Sequence, residues 1–269
     1  MYQTLVDAMR TLAEAGAIFG LESSRHGEQE FQIALGRRLE RMTGSDGWTW
    51  RYGNENEEQY ETGTLVNKGR IEIDLVGRHD EKGMVAIELK YVPVSLNRRV
   101  PNDPPAFPYD LAKDCLRLDL LRAGHCMPAG RLSSYAVPDR LQTYAIGMTN
   151  WPDYWLASKP KLGWASHFFD AIRPPVRFEG LIKTKGANPE NTIALKRCHI
   201  AFGRSWTGEW HSYIEPFRYL ILRPESDLEP RWTHDQLPAD EQSATVPFLN
   251  TDARDGWRQR ARKMGHAYE

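Results

Sequence analysis

Two strongly apolar segments, separated by a short connector, constrain the fold of this chain more than any other feature of its sequence. Residues 70–76 read RIEIDLV, residues 84–91 read MVAIELKY, and residues 77–83 between them read GRHDEKG. Apolar residues dominate both segments and turn-forming residues dominate the connector, so the sequence predicts a β-hairpin. Strands this apolar are typical of the covered centre of a sheet. We therefore expect the hairpin to be central and buried.

Three of the charged residues of this hairpin are candidates for chemistry, namely Asp74 on the first strand and Glu88 and Lys90 on the second. Because alternate residues of a strand share a face, Glu88 and Lys90 are expected to point the same way. A hairpin symmetric about Asp80 would place Ala86 opposite Asp74, with Glu88 as its diagonal neighbour at ~7–8 Å. Both carboxylates could then bind one hard cation. The alternative is that Glu88 and Lys90 are ordinary exposed positions of an antiparallel strand.

The rest of the chain predicts helices and strands on either side of the hairpin. Apolar residues at helical spacing predict helices from the start to about residue 19, over 26–42 and over 109–123. Further strands are predicted at 48–52, 141–149, 176–182, 192–202 and 217–223. The glutamate-rich residues 54–62 predict a solvated loop, and the five prolines of 93–108 predict a stretch without regular structure. The aromatic-rich residues 151–175 predict a loop packed on the core.

Composition excludes several classes of protein. The 269 residues include 35 basic and 36 acidic ones, a formal net charge of −1, so no overall field attracts nucleic acid or an anionic membrane. The three cysteines form no CxxC pair, which argues against a disulfide scaffold or a zinc ribbon. No apolar run approaches the ~18 residues of a membrane span, and acidic residues near the start argue against a signal peptide. We expect a cytoplasmic protein.

The order of the elements and the spacing of the charged residues resemble the PD-(D/E)XK, or restriction-endonuclease-like, nucleases. The motif residues are Ile73-Asp74, then 13 residues, then Glu88-Leu89-Lys90, with Ile73 where the family name has proline. The segments YDLAKDCLRL (109–118) and YAIGMTNWPDYW (144–155) look similar to an uncharacterised bacterial branch of that family. The resemblance covers residues 26–155.

This resemblance implies an α/β fold with a restriction-endonuclease-like core, a central mixed sheet flanked by helices in the order αβββαβ. It divides the chain into an N-terminal helix (1–25), the nuclease core (26–155) and a β-rich C-terminal extension (156–269) packed on the core. The extension ends in a basic tail from residue 251, which is expected to be a loose helix.

The resemblance also implies the chemistry of the site. Mg²⁺ (or Mn²⁺) would be held by Asp74, Glu88 and the carbonyl of Leu89, while Lys90 would assist the hydrolytic water. Many members add a glutamate from the first helix, and Glu28 fits this role better than Glu30. Glu28 continues the inward stripe of that helix, although its alternative is a first-turn glutamate favoured by the helix dipole.

The helix after the catalytic strand offers two candidate contacts to nucleic acid, Lys113 and Arg117. Family members often touch phosphate from this helix, and Arg117 is the better candidate. The alternative, which we favour, is that both cations pair with Asp110 and Asp114 on a solvated helix face.

The function implied by the resemblance is that of an Mg-dependent endodeoxyribonuclease, a hydrolase of restriction, defence or repair. Its partner would be nucleic acid, DNA rather than RNA, with no membrane and with a homodimer left open. The alternative is a non-catalytic nuclease-fold protein that binds nucleic acid or a partner protein. The near-neutral charge and the acidic residues from Glu55 to Glu61 favour this alternative, whereas the intact set of Asp74, Glu88 and Lys90 argues against it.

Overall fold

The structure is a computed structural model that describes residues 1–20, 24–53, 58–62, 70–94, 106–123, 126–128, 140–156, 163–187, 197–226, 228, 230–231 and 245–246. The helices are α1 (Tyr2–Glu14), α2 (Ser24–Thr43), α3 (Ala106–Arg122) and α4 (Ser166–Ala171). The first seven strands are β1 (Thr49–Tyr52), β2 (Glu58–Thr62), β3 (Arg70–Ile73), β4 (Leu75–His79), β5 (Gly83–Val92), β6 (Cys126–Pro128) and β7 (Leu141–Thr149). The others are β8 (Val176–Phe178), β9 (Leu181–Ile182), β10 (His199–Ala201), β11 (Trp206–Ser212), β12 (Arg218–Pro224) and β13 (Thr245–Val246).

The largest sheet is mixed and has seven strands in the order β1-β4-β5-β7-β12-β11-β8. Strands β5 and β7 are parallel, and α3 lies in the crossover between them. The other neighbouring pairs are antiparallel. Two three-stranded sheets, β13-β10-β9 and β3-β2-β6, lie beside it. The prediction of an α/β fold with a central mixed sheet flanked by helices is therefore confirmed.

Helices cover both faces of the large sheet. Met84 and Ala86 of β5 belong to the apolar cluster that contains α3, whereas Ile87 and Tyr91 belong to the cluster that contains α1 and α2. The predicted inward stripe of α2 is confirmed, since Phe31, Leu35 and Leu39 are all fully buried. The hairpin of β4 and β5 is therefore central and covered, as the apolar sequence predicts.

The first strand of this hairpin is interrupted at Asp74, so the prediction of one strand over 70–76 is wrong there. Strand β3 pairs with β2, β4 pairs with β1 and β5, and Asp74 is a bend between the two sheets. The predicted register is also wrong, because Leu75 faces Ile87 and Val76 faces Ala86. The hairpin is thus centred on Glu81, and continuing its register places Asp74 directly opposite Glu88.

Three other predictions near the core are corrected. Helix α1 ends at Glu14 because Gly16 adopts a left-handed conformation (φ +70°) that terminates it. Residues 58–62 form β2 rather than a solvated loop, since they pair with β3 and β6. Helix α3 begins at Ala106, inside the proline-rich stretch, because Pro108 falls in the first turn, where the missing N–H is not needed.

The C-terminal half is more divided than the sequence predicts. Residues 176–182 form two short strands in different sheets, with Gly180 (φ +57°) between them, and β11 is a strand that the sequence pattern does not predict. Of the predicted strand at 192–202, residues 199–201 form β10 and residues 192–196 lie outside the described residues, as does the basic tail. Residues 151–175 include α4, and their aromatic side chains pack into the core as predicted (Trp151, Tyr154, Phe168, Phe169). No helix among the described residues could span a membrane.

The close packing of α3 on β7 gives a test of this fold. A Cβ on Gly147 would lie 2.8 Å from the ring of Phe107 and 2.9 Å from Leu111, both on α3. We expect Gly147→Ala to lower the free energy of unfolding in urea by about 1–3 kcal/mol through overpacking. Gly44→Ala is the control, because its Cβ would meet nothing within 4 Å. Equal effects of the two substitutions would contradict the close approach of α3 to β7.

Candidate functional site

The bend at Asp74 turns its carboxylate towards β5. Asp74 Oδ2 accepts a hydrogen bond from the backbone N–H of Leu89 at 2.6 Å. The side chain of Gln32, on α2, donates to the backbone carbonyl of Asp74 at 2.5 Å. The bend is therefore held from both sides, and sequence reasoning missed the contribution of Gln32. The motif residue Leu89 acts here through its N–H, while the metal-ligand role of its carbonyl stays a prediction.

Glu88 is buried (3% exposed), and its carboxyl group lies close enough to that of Asp74 for the two to affect each other's pKa. Burial raises the pKa of Asp74 to about 7, although the Leu89 N–H opposes this shift. Burial also raises the pKa of Glu88 well above its ordinary value, and the charge of Asp74 adds to the effect. The protonated form is therefore favoured at both acids, compared with exposed carboxyl groups. Glu88 Oε1 is buried and has no hydrogen-bond partner among the described residues.

Lys90 is held by Glu28, so the structure brings the two predicted residues together. Its Nζ lies 3.1 Å from Glu28 Oε2, which also accepts the N–H of Tyr91 at 2.9 Å. Burial alone would lower the pKa of Lys90, but Glu28 and nearby acids of α3 raise it overall, so the ammonium is retained. Glu30 points elsewhere and accepts the N–H of Gly20 at 2.7 Å.

Glycine allows α2 to approach β5 closely enough for this ion pair. A Cβ on Gly27 would lie 2.3 Å from the ring of Tyr91 and 2.6 Å from the carbonyl oxygen of Gly20. No larger residue fits between the helix and the strand at this position. The residue before Glu28 therefore sets the position of its carboxylate.

The charged face of α3 packs over the carboxylate pair. Lys113 Nζ lies 2.5 Å from Asp110 Oδ1, and Arg117 Nη1 lies 3.0 Å from Asp114 Oδ1. The structure therefore contains both predicted ion pairs. The prediction of a solvated face is wrong for Asp114, which is 4% exposed. Burial raises the pKa of Asp114 to about 6, against the lowering effect of Arg117, and the charge of Arg117 also favours ionised Glu88.

The donor set fits a hard cation. Among the described residues no three His, Cys, Asp or Glu side chains are grouped as a metal cluster. Mg²⁺ is nevertheless commonly held by one or two carboxylates, with water and substrate phosphates in its other positions. Asp74 and Glu88 supply two carboxylates in contact, one with an oxygen that has no partner among the described residues. Such orphaned buried acceptors are rare, and an ion is one ordinary reason for them.

The carboxylate pair predicts a specific pH dependence of stability. An aspartate with a pKa of about 7 when folded and about 4 when unfolded binds more protons in the folded state, so stability falls as pH rises between these values. The substitution Asp74→Asn removes this loss of stability at high pH, and the amide oxygen of asparagine can still accept the hydrogen bond from the Leu89 N–H. We expect the metal-free variant to exceed wild type by about 1–3 kcal/mol at pH 8 and by less at pH 5.

Urea unfolding at the two pH values measures this difference. Asp80→Asn is the matched control, because Asp80 lies in the exposed turn of the same hairpin. It should change stability little at either pH. A large loss of stability in Asp74→Asn at pH 8 would instead make Asp74 a structural ion-pair residue.

Comparisons with known proteins leave the function to be inferred from this geometry. The sequence matches no protein-family model, no similar curated protein is found, and no solved structure matches.

Proposed function

We propose that this protein is a metal-dependent nuclease of the PD-(D/E)XK type that hydrolyses phosphodiester bonds in DNA. One observation carries the proposal, namely the contact between the carboxyl groups of Asp74 and Glu88, with the ammonium of Lys90 two residues further along β5. Two acids and a cation in one buried place are costly unless they serve a ligand. A hard cation and a phosphate are ligands that this combination suits.

The order of the elements supports the proposal. Helix α2 precedes β1, the hairpin of β4 and β5, α3 and β7, while β2, β3 and β6, which intervene in the chain, form a separate sheet. The first three of these strands are antiparallel neighbours, and β7 joins β5 in parallel. This order supports the helix, three-strand meander, helix and strand that the sequence resemblance implies. The finer assignment to that family rests on this order and on the motif residues.

Asp74 and Glu88 are the residues that would hold Mg²⁺ or Mn²⁺, with the Leu89 carbonyl as a third donor. The bound ion would polarise the scissile phosphate and lower the pKa of a bound water. Ionisation of both carboxyls is required for this role, and Arg117 favours it at Glu88. The raised pKa values of the free pair follow mainly from burial, and nearby acids add to them.

Lys90 supplies the positive charge on the reacting phosphate. Because Glu28 holds its ammonium and keeps it protonated, Lys90 is placed before substrate binds. A preorganised charge of this kind stabilises the negative charge that builds up in the transition state. Arg117 and Lys113, now paired with Asp114 and Asp110, are the cations of α3 that would contact the DNA backbone.

Cleavage assays with the full chain test the activity. We expect supercoiled or linear DNA to be cut in the presence of Mg²⁺ or Mn²⁺ and to stay intact in EDTA. Cleavage of RNA and not of DNA would mean that the protein is a ribonuclease. The absence of cleavage on supercoiled, linear and single-stranded DNA and on RNA, with either metal, would contradict the proposal.

Lys90→Ala separates catalysis from binding. An ammonium is not a metal ligand, so we expect the variant to bind Mn²⁺ and DNA nearly as wild type does. Its cleavage rate should fall by ~10²–10³-fold, as for the loss of one preorganised charge donor. Lys90→Arg should not restore the rate, because a planar guanidinium does not replace a compact charge.

The control for this experiment is Lys185→Ala, at an exposed position outside the site. It should leave metal binding, DNA binding and cleavage unchanged. Calorimetry with Mn²⁺ and a DNA-binding assay in Ca²⁺ or EDTA give the two affinities. A Lys90→Ala protein that cuts at the wild-type rate would refute the role given to Lys90.

A further inference from the structure

A second charged site lies at the other end of the large sheet. It is a cleft of about 790 Å³ at the starts of β5 and β7 and the end of β12. Lys90 is seven residues along β5 from Gly83, or about 23 Å away. The cleft is therefore separate from the carboxylate site. The cations that line it among the described residues are Lys82, Arg122, Arg140 and Arg223.

The described lining of the cleft carries more cations than acids. Its one acid is Glu225, which lies 2.9 Å from Arg177, and Arg177 also pairs with Glu179 at 2.6 Å. A further cation behind the wall, Arg204, is neutralised by buried Asp119 at 2.6 Å. Because the chain as a whole has a net charge of −1, the cluster does not follow from a basic composition. Cations gathered from four elements repel one another, and a bound anion relieves that repulsion.

The walls of the cleft are built from fixed polar groups. Thr143 is buried, and its hydroxyl accepts a hydrogen bond from Arg204 at 3.1 Å. The Oε1 atom of Gln142 accepts a hydrogen bond from the hydroxyl of Tyr144 at 3.1 Å. The amide N–H groups of Gln142 are therefore directed away from the ring of Tyr144. Thr207 adds a hydroxyl to the lining. The site thus combines charges with hydrogen-bond donors, as small-ligand sites do.

The size and charge of the cleft define the class of ligand. Its volume lies in the range of about 300–1,000 Å³ typical of small-ligand sites and exceeds that needed for one phosphate. Arginine is well suited to bidentate recognition of phosphate, and three of the four cations are arginines. One phosphate, with a charge of about −2, carries less charge than the cations of the lining, which favours an anion with more than one phosphate group.

We propose that this cleft binds a small anion with two or more phosphate groups, either a nucleoside polyphosphate or a short inorganic polyphosphate. Binding uses the side chains of the cleft and needs neither a metal nor Asp74. The proposal is therefore independent of the nuclease activity.

Calorimetric titration of the full chain with ATP and with tripolyphosphate, both in EDTA, tests the proposal. We expect saturable binding with one site per chain. Tighter binding of ATP would show that the nucleoside contributes, whereas equal affinities would show recognition of the phosphates alone; both results support the site. Asp74→Asn should bind as wild type does, so failure of the nuclease proposal would leave this result unchanged.

A charge-matched pair of variants distinguishes the cleft from general electrostatics. Lys82→Gln/Arg140→Gln removes two exposed cations of the cleft, and we expect it to weaken binding at least tenfold. Arg37→Gln/Arg41→Gln removes two exposed cations of α2 and should leave binding unchanged. Arg140 also donates to the carbonyl of Glu81 at 3.1 Å, so melting temperatures without ligand must show that the variant is folded. If it is not, Lys82→Gln alone should still weaken binding about threefold.

Three results would overturn the proposal. The first is no binding of ATP or tripolyphosphate at millimolar concentration. The second is equal weakening by the cleft variant and the α2 variant, which would mean that overall charge alone attracts the anion. The third is displacement of ATP by a ten-nucleotide single strand at a lower concentration than tripolyphosphate requires, which would make the cleft a nucleic-acid contact.

Discussion

The contact between the carboxyl groups of Asp74 and Glu88 is the interaction on which the arrangement of this site depends. Burial is the main cause of the raised pKa values of both acids, and the charge of Asp74 adds to the effect at Glu88. The fold itself creates the contact. Because β3 and β4 belong to different sheets, the chain bends at Asp74, and the bend brings its carboxylate to Glu88 and to the N–H of Leu89. A regular strand through this position would have lacked the bend.

The helices on the two faces of the sheet complete the site from opposite sides. On one face, α2 carries Glu28 to Lys90, and the closeness of this approach depends on Gly27. On the other face, α3 places Arg117 and the buried Asp114 near Asp74 and Glu88. The apolar clusters that hold these helices to the sheet therefore also fix the charges. Stability and function are coupled here, since a shift of either helix would change the charge balance of the carboxylate pair.

The periodicity of apolar residues predicts the elements whose formation depends on local sequence. The apolar hairpin, the stripe of α2 and the strand at 141–149 follow from periodicity, and the charges of Asp74, Glu88 and Lys90 stand out against apolar neighbours. The register of the hairpin is not accessible from sequence, because a three-residue turn centred on Asp80 and one centred on Glu81 suit the same connector. Strands such as β2 and β11 depend on distant partners, which polar sequences such as EQYET do not reveal. The burial of Asp114 likewise arises only when α3 docks on the sheet.

The most direct test of this account is a crystal structure of the protein with Mn²⁺, in which anomalous scattering locates the ion. The account predicts a peak between the carboxyl groups of Asp74 and Glu88, with Glu88 Oε1 within bonding distance of the ion and Lys90 still held by Glu28. The same crystals of Asp74→Asn should show no peak at that place. A fully occupied Mn²⁺ elsewhere in the chain, with no ion at the Asp74–Glu88 pair, would contradict the metal-binding role of this pair.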